Sequence, residues 1–313
     1  MELSEGARRV LVTSVAVKAG EKVLVVADPG TLSVGRALFD AAADLGAEPV
    51  LTLIRPASAS STEPPALVAS AMQESVVVVL ATSGSMTHTH ARRAANRAGA
   101  RVVSIPNITE EMLREGALTV DHSEVLQVMR RVGRRLRHAR TVRLASASGT
   151  DLTFSVAGRA WNATDTGVCS RRGEMTTLPA GELFIAPLEG TAGGRLVVDL
   201  WFDEPLAEVA TVVVEGGHAT KVLGAERAVA AMNRGGKEGR NVGKFGIGLN
   251  PRARRSGPPH EIEKALGTAH VGFGDSAPFG GRIECGVRVD AIVGDVTVEV
   301  DGALVIDRGK LVA

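Results

Sequence analysis

Hydrophobic residues in the first half of the chain come in short unbroken runs; in the second half they alternate with polar ones. "KVLVVAD" (22–28), "PVLTLI" (49–54), "VVVVLAT" (76–82) and "RVVSIP" (101–106) are β-branched and nearly continuous in apolar side chains. That is the pattern of parallel strands covered on both faces. Between them, "SVGRALFDAAADLGAE", "PPALVASAMQES" and "THARRAANRAGA" have helical character. Repeated β-α units predict an α/β fold, a Rossmann-like doubly wound sandwich. The Ser/Pro-rich stretch "RPASASSTEPP" (55–65) reads as a surface loop.

An amphipathic helix is expected from about Asp121 to Arg140, with Val125, Val128, Val132 and Leu136 as its buried stripe. Arg130, Arg131, Arg134, Arg135, Arg137 and Arg140 crowd its other faces. They read as a solvated or subunit-facing surface, with an anionic partner as the second reading. Beyond Arg140 the texture is strand and turn, as in "TVRLASASGTDLTFSVAG" and "DVTVEVDGALVIDRGKLVA", with one helix near "AERAVAAMNRG". The expected organisation is a Rossmann-like α/β domain over 1–140 and a mainly β (α+β) domain over 141–313.

Composition narrows the function classes. A chain of 313 residues is long for one core. Lys and Arg number 36 against 35 Asp and Glu, so no global field points to nucleic acid or to a membrane surface. No apolar run reaches the ~20 residues needed to span a bilayer, and the N-terminus lacks the order of a signal peptide. Two cysteines are too few for a disulfide framework, so a cytoplasmic protein is expected. There is no tyrosine.

Candidate chemistry is sparse. Gly30 and Gly35 in "DPGTLSVGRAL" have phosphate-loop spacing, but Arg36 and Ala37 stand where Lys and Ser/Thr belong. A tight turn explains the glycines better. His88, in "SGSMTHTHARRAA", falls where open α/β sheets place ligands; Thr87 or Thr89 could cap the helix that follows. "CGVRVDAIVG" (285–294) resembles a strand presenting a His-x-Asp metal pair, except that Arg288 precedes Asp290, and a guanidinium has no lone pair to donate. Glu182 and His270 sit in glycine-rich blocks, where turn and core roles are the ordinary alternatives.

Several blocks in order carry a resemblance: "PNITEEMLREGALTVD", "GTDLTFSVAGRAW", "LPAGELFIAPLEGTAGGRLVVD", "GIGLNPRAR" and "EKALGTAHVGFGD". Over most of its length the chain resembles the aminopeptidase T superfamily, which includes thermophilic leucyl aminopeptidases and iron-dependent 2,5-dihydroxypyridine dioxygenases. The resemblance implies a metal cleft in the C-terminal domain, with Glu182, His270 and Asp290 at ligand positions. It also places Lys244 where the aminopeptidases have a second glutamate and Arg288 where both groups have a histidine. The tyrosine used by the aminopeptidases has no counterpart.

A unit cation about 4 Å from another costs ~4 kcal/mol at an effective dielectric near 20, and a dication about twice that. No catalytic residue, metal or other cofactor is therefore expected. The expectation is a pseudoenzyme whose cleft (Glu182, Lys244, His270, Arg288, Asp290, with His88) binds a peptide or small carboxylate, the peptide conceivably a biosynthetic precursor. No nucleic acid or membrane partner is expected, and a homo-oligomer is. The rival reading is a metal-dependent dioxygenase-like or aminopeptidase-like enzyme, holding Fe or Zn through Glu182, His270 and Asp290.

Overall fold

The structure is a computed structural model that describes residues 1–56, 62–163 and 166–312; the loop expected over 55–65 lies partly outside them. The chain forms two compact units, Met1–Leu126 with Thr164–Ala180, and Gln127–Ala163 with Gly181–Ala313. No helix is long and apolar enough to cross a membrane among the described residues.

The first unit opens with β1 (Lys22–Ala27), β2 (Glu48–Leu53), β3 (Val77–Ala81) and β4 (Arg101–Ser104). Then β5 (Thr141–Ala145) and β6 (Asp151–Ser155) begin the second unit before β7 (Met175–Thr177) returns to the first. The first sheet has the order β2-β1-β3-β4-β7 and is wholly parallel. Helices Leu32–Asp44, Ala66–Glu74 and His90–Ala98 join its strands, so the α/β expectation holds. β1, β3 and β4 are buried as their unbroken apolar runs require, but β2 lies at the sheet edge. There Val50 and Leu53 are exposed, so the buried strand expected at 49–54 is a half-open one. At the first turn, Asp28 accepts from the Gly30 amide (3.0 Å) and the Ser83 hydroxyl (2.8 Å). A Cβ on Gly35 would stand 2.7 Å from that of Ala27, so this glycine serves close helix–strand packing, not a phosphate.

The second unit continues with β8 (Glu182–Ile185), β9 (Gly193–Val198), β10 (Trp201–Phe202), β11 (Ala210–Glu215), β12 (His218–Leu223) and β13 (Val242–Gly248). It closes with β14 (Ala269–Gly274), β15 (Arg288–Val293), β16 (Thr297–Val300), β17 (Ala303–Asp307) and β18 (Lys310–Leu311). An eight-stranded sheet has the order β12-β11-β9-β6-β5-β16-β17-β18 and a five-stranded one the order β10-β15-β14-β13-β8. Both are antiparallel, and the expected helix near residue 225 spans Glu226–Arg234. The helix His122–Leu136 buries Val125, Met129, Val132 and Leu136. Met129 thus takes the place in the stripe expected of Val128, which is only half-buried.

Candidate functional site

The five-stranded sheet has two unlike faces, set by the twofold period of its strands. The register aligns Ile185, Phe245, Val271 and Ala291 on one face, and Phe184, Gly246, His270 and Ile292 on the other. On this second face Glu182 opposes Gly248, Lys244 opposes Gly272, and Gly272 opposes Asp290. The glycines make room. A Cβ on Gly246 would come 2.1 Å from His270 Nε2, and one on Gly272 would come 2.8 Å from Asp290 Oδ1.

Glu182, 3% exposed, is the hub of the buried cluster. Lys264 Nζ lies 2.7 Å from Glu182 Oε1 and 2.7 Å from Glu263 Oε1. Lys244 Nζ lies 3.5 Å from Glu182 Oε2. His270 Nε2 stands 3.1 Å from the same oxygen, but the two are misaligned: neither atom has a hydrogen-bond partner, and His270 Nδ1 has none either. Burial pushes the Glu182 carboxyl up, but Lys244, Lys264 and His270 outweigh it and hold the group well below the usual carboxylate range. Glu263 is likewise pushed up by burial and drawn down, chiefly by Lys264, to about 2.

Arg288 and Asp290 form a second pair, with Nε 2.5 Å from Oδ2. Burial opposes the Arg288 charge, and Asp290 more than restores it, so the guanidinium is held more firmly charged than usual. The Asp290 amide donates to Asp203 Oδ2 at 2.6 Å, while Asp290 Oδ1 is buried without a partner. Burial, then the Asp290 charge, raises the Asp203 carboxyl to about 6. Aromatic rings line the cations. Lys244 Nζ lies 4.9 Å from the Phe184 ring centre and 5.3 Å from that of Phe279, and Arg288 Cζ lies 5.4 Å from Phe279.

The expected residues therefore divide. Glu182, Lys244 and His270 share one buried cluster, and Arg288 with Asp290 form a separate pair on the same sheet face. His88 belongs to the first unit. It precedes Thr89, whose hydroxyl caps the helix His90–Ala98 by accepting from the Arg92 amide at 3.2 Å. Burial, with Arg92 and Arg93, lowers the His88 pKa. Three donors that could hold a metal ion have ligand atoms within 4.8 Å of one another: Glu182, Glu263 and His270. Glu263 thus stands where the alternative ligand set has Asp290. Asp275, another nearby acid, accepts from the Cys285 and Gly286 amides.

Sequence reasoning missed Glu263, Lys264 and Asp203. The first two follow the short helix Pro259–Ile262. Their signal was the acid–base pair in "HEIEKALGTAH", inside the block that supplies His270.

Two solved structures resemble the whole chain. That of 2,5-dihydroxypyridine dioxygenase from Pseudomonas putida KT2440 aligns with a TM-score of 0.79 at 20% identity, covering 99% of this chain and 97% of that one. Wild-type AmpT from Thermus thermophilus aligns with a TM-score of 0.65 at 18% identity, covering 99% of both. At these identities the likeness shows the fold alone. No curated protein matches the sequence significantly. The family model NicX, 2,5-dihydroxypyridine 5,6-dioxygenase, matches residues 3–313, and the chain belongs to that family.

Proposed function

We propose that the polar face of the five-stranded sheet binds the carboxylate of a peptide or small organic acid without metal chemistry. One observation carries this reading: the Lys264 ammonium sits 2.7 Å from both Glu182 and Glu263. A cation therefore already sits between the two acids, with Lys244 beside it. Each ammonium about 4 Å from a dication would cost it ~8 kcal/mol at an effective dielectric near 20. Glu182 and Glu263 are matched in charge by Lys244 and Lys264, and Asp290 by Arg288. This donor set does not fit a resident metal ion.

Lys244 is too deeply buried to meet a ligand directly, so its part is to hold Glu182. Arg288 is the anchor. Its side chain is 43% exposed, only its Nε is engaged by Asp290, and Phe279 backs it. The two terminal nitrogens form the planar fork that takes a carboxylate bidentately.

A second reading, a metal-dependent dioxygenase-like or aminopeptidase-like enzyme, draws on His270. Both its ring nitrogens are buried without a hydrogen bond, beside two carboxylates, within a family of that description. Elemental analysis of protein purified without a metal-binding tag separates the readings. We expect well under one equivalent of iron, zinc or manganese per chain. Stoichiometric metal that is lost in His270→Ala would establish the second reading instead. Calorimetry against short peptides then tests the first: Arg288→Ala should weaken any binding about tenfold or more.

A further inference from the structure

The second unit carries another site, which the proposed function does not use. Along the helix His122–Leu136 and just beyond it, Arg130, Arg134 and Arg137 are spaced four and three residues apart, so they share one face. At 1.5 Å per residue they span about 10 Å. They line a cavity of about 400 Å³ together with Met129, Trp161 and Leu183. Among the described residues none of the three guanidiniums has an ion pair or a side-chain hydrogen bond.

Two details make this a receptacle. Gly133 lies mid-helix, where glycine costs about 1 kcal/mol relative to alanine. A Cβ there would meet only Leu183 Cδ1, at 4.0 Å, so packing does not require the glycine; its missing side chain leaves the cavity open. On the floor, Trp161 is held edge-on against Phe245, with ring centres 6.1 Å apart, and its indole N–H is shielded from solvent with no acceptor. A second depression, of about 540 Å³, shares Arg137 and Ala160 with the first and adds His138 and Arg140. The trough thus joins an aromatic floor to a rim of uncompensated positive charge. Its volume is that of a small-molecule site.

We propose that this trough binds a phosphorylated heteroaromatic small molecule, the chemistry of a nucleotide. The ring packs against Trp161, and the phosphates meet Arg130, Arg134 and Arg137. The chain has two tryptophans and no tyrosine, so in Trp201→Phe the emission comes from Trp161 alone. The probes are ADP, pyrophosphate and adenosine, followed by Trp161 emission in Trp201→Phe and by calorimetry on the unaltered protein. ADP should change the emission and release heat, with an affinity that falls as salt rises. Pyrophosphate and adenosine should each bind at least about tenfold more weakly, and Arg134→Ala with Arg137→Ala should weaken ADP by about tenfold or more. Gly133→Met, which fills the cavity with a better helix former, should abolish binding with the thermal midpoint unchanged or raised. Four results would each overturn the proposal: no heat with millimolar ADP, pyrophosphate binding as tight as ADP, ADP binding that survives Gly133→Met, or tighter binding of a single-stranded oligonucleotide than of ADP.

Discussion

The two faces of the five-stranded sheet are made by the same backbone and hold together by different physics. On one face, Leu183, Phe245, Ile247, Val271 and Phe273 are wholly buried and apolar. Their contribution is spread over many weak contacts, each roughly additive with the next. On the other face, Glu182, Lys244 and His270 are as deeply buried, and their stability lies in mutual compensation. Desolvating several charges is tolerable only while each keeps its partner. An apolar face therefore degrades by degrees as atoms are removed, whereas a compensated one fails when a single member is lost.

The largest expected effects test this difference directly. Glu182→Ala strands the buried Lys244 ammonium and leaves Lys264 with Glu263 alone, and should cost about 3–5 kcal/mol in urea unfolding. Phe245→Ala should cost about as much through the cavity it leaves. The distinction appears in the double variant. Glu182→Leu combined with Lys244→Met should be less damaging than Glu182→Ala alone, because it removes both members of one pair and leaves Lys264 with Glu263. If the double variant proves the more damaging, the polar face is not held by compensation.

His122 shows what burial does without a charged partner close enough to offset it. Its Nδ1 lies 3.1 Å from the Ser14 hydroxyl, and desolvation lowers its pKa to about 4. The depressed folded value means that the unfolded state binds the extra proton first. Stability is complete above the ordinary histidine pKa of about 6.5 and is lost as pH falls from there towards 4. The loss should total about 3 kcal/mol and be absent in His122→Gln, which unfolding midpoints across that window will show.

Gly246→Ala should cost about 1–3 kcal/mol by driving a methyl group into the His270 ring, whereas Ala269→Gly on the apolar face should leave that ring in place. The imidazole resonances report which occurs. The smallest effect on stability is expected of Arg288→Lys, under about 1 kcal/mol because the Arg288–Asp290 pair is partly exposed. Carboxylate binding should nevertheless weaken there, since an ammonium cannot replace the planar fork.

Legibility followed the range of the interactions. β1, β3 and β4 were readable because an unbroken β-branched run is a local property. β2 was misjudged because its neighbours, not its composition, make it an edge strand. Glu182, Lys244, His270, Arg288 and Asp290 were found through blocks resembling a family, and their alternation on one sheet face follows from strand periodicity. Lys264 and Glu263 reach the site from a turn after a four-residue helix. No periodic pattern tells which way such residues point. Asp203, at positive φ of 51° after β10, is placed by a bend equally silent in composition. The return of residues 164–180 to the first sheet had no signal either, since β7 is only three residues long.

That return governs the order in which the protein can be made. Leaving the ribosome, β1 to β4 can pair as soon as residue 104 emerges, but β4 then presents an open edge until Met175–Thr177 arrives. Over the same interval the backbone amide of Cys169, which donates to Ser14 O at 2.7 Å, and that of Leu178, which donates to Ser104 O at 2.8 Å, are not yet synthesised. The nascent chain must therefore carry an unsatisfied strand edge, a template for unwanted pairing, while the first strands of the next unit are already being extruded. Neither unit is a contiguous stretch of gene, so a fragment ending at residue 126 or 140 would carry that open edge permanently.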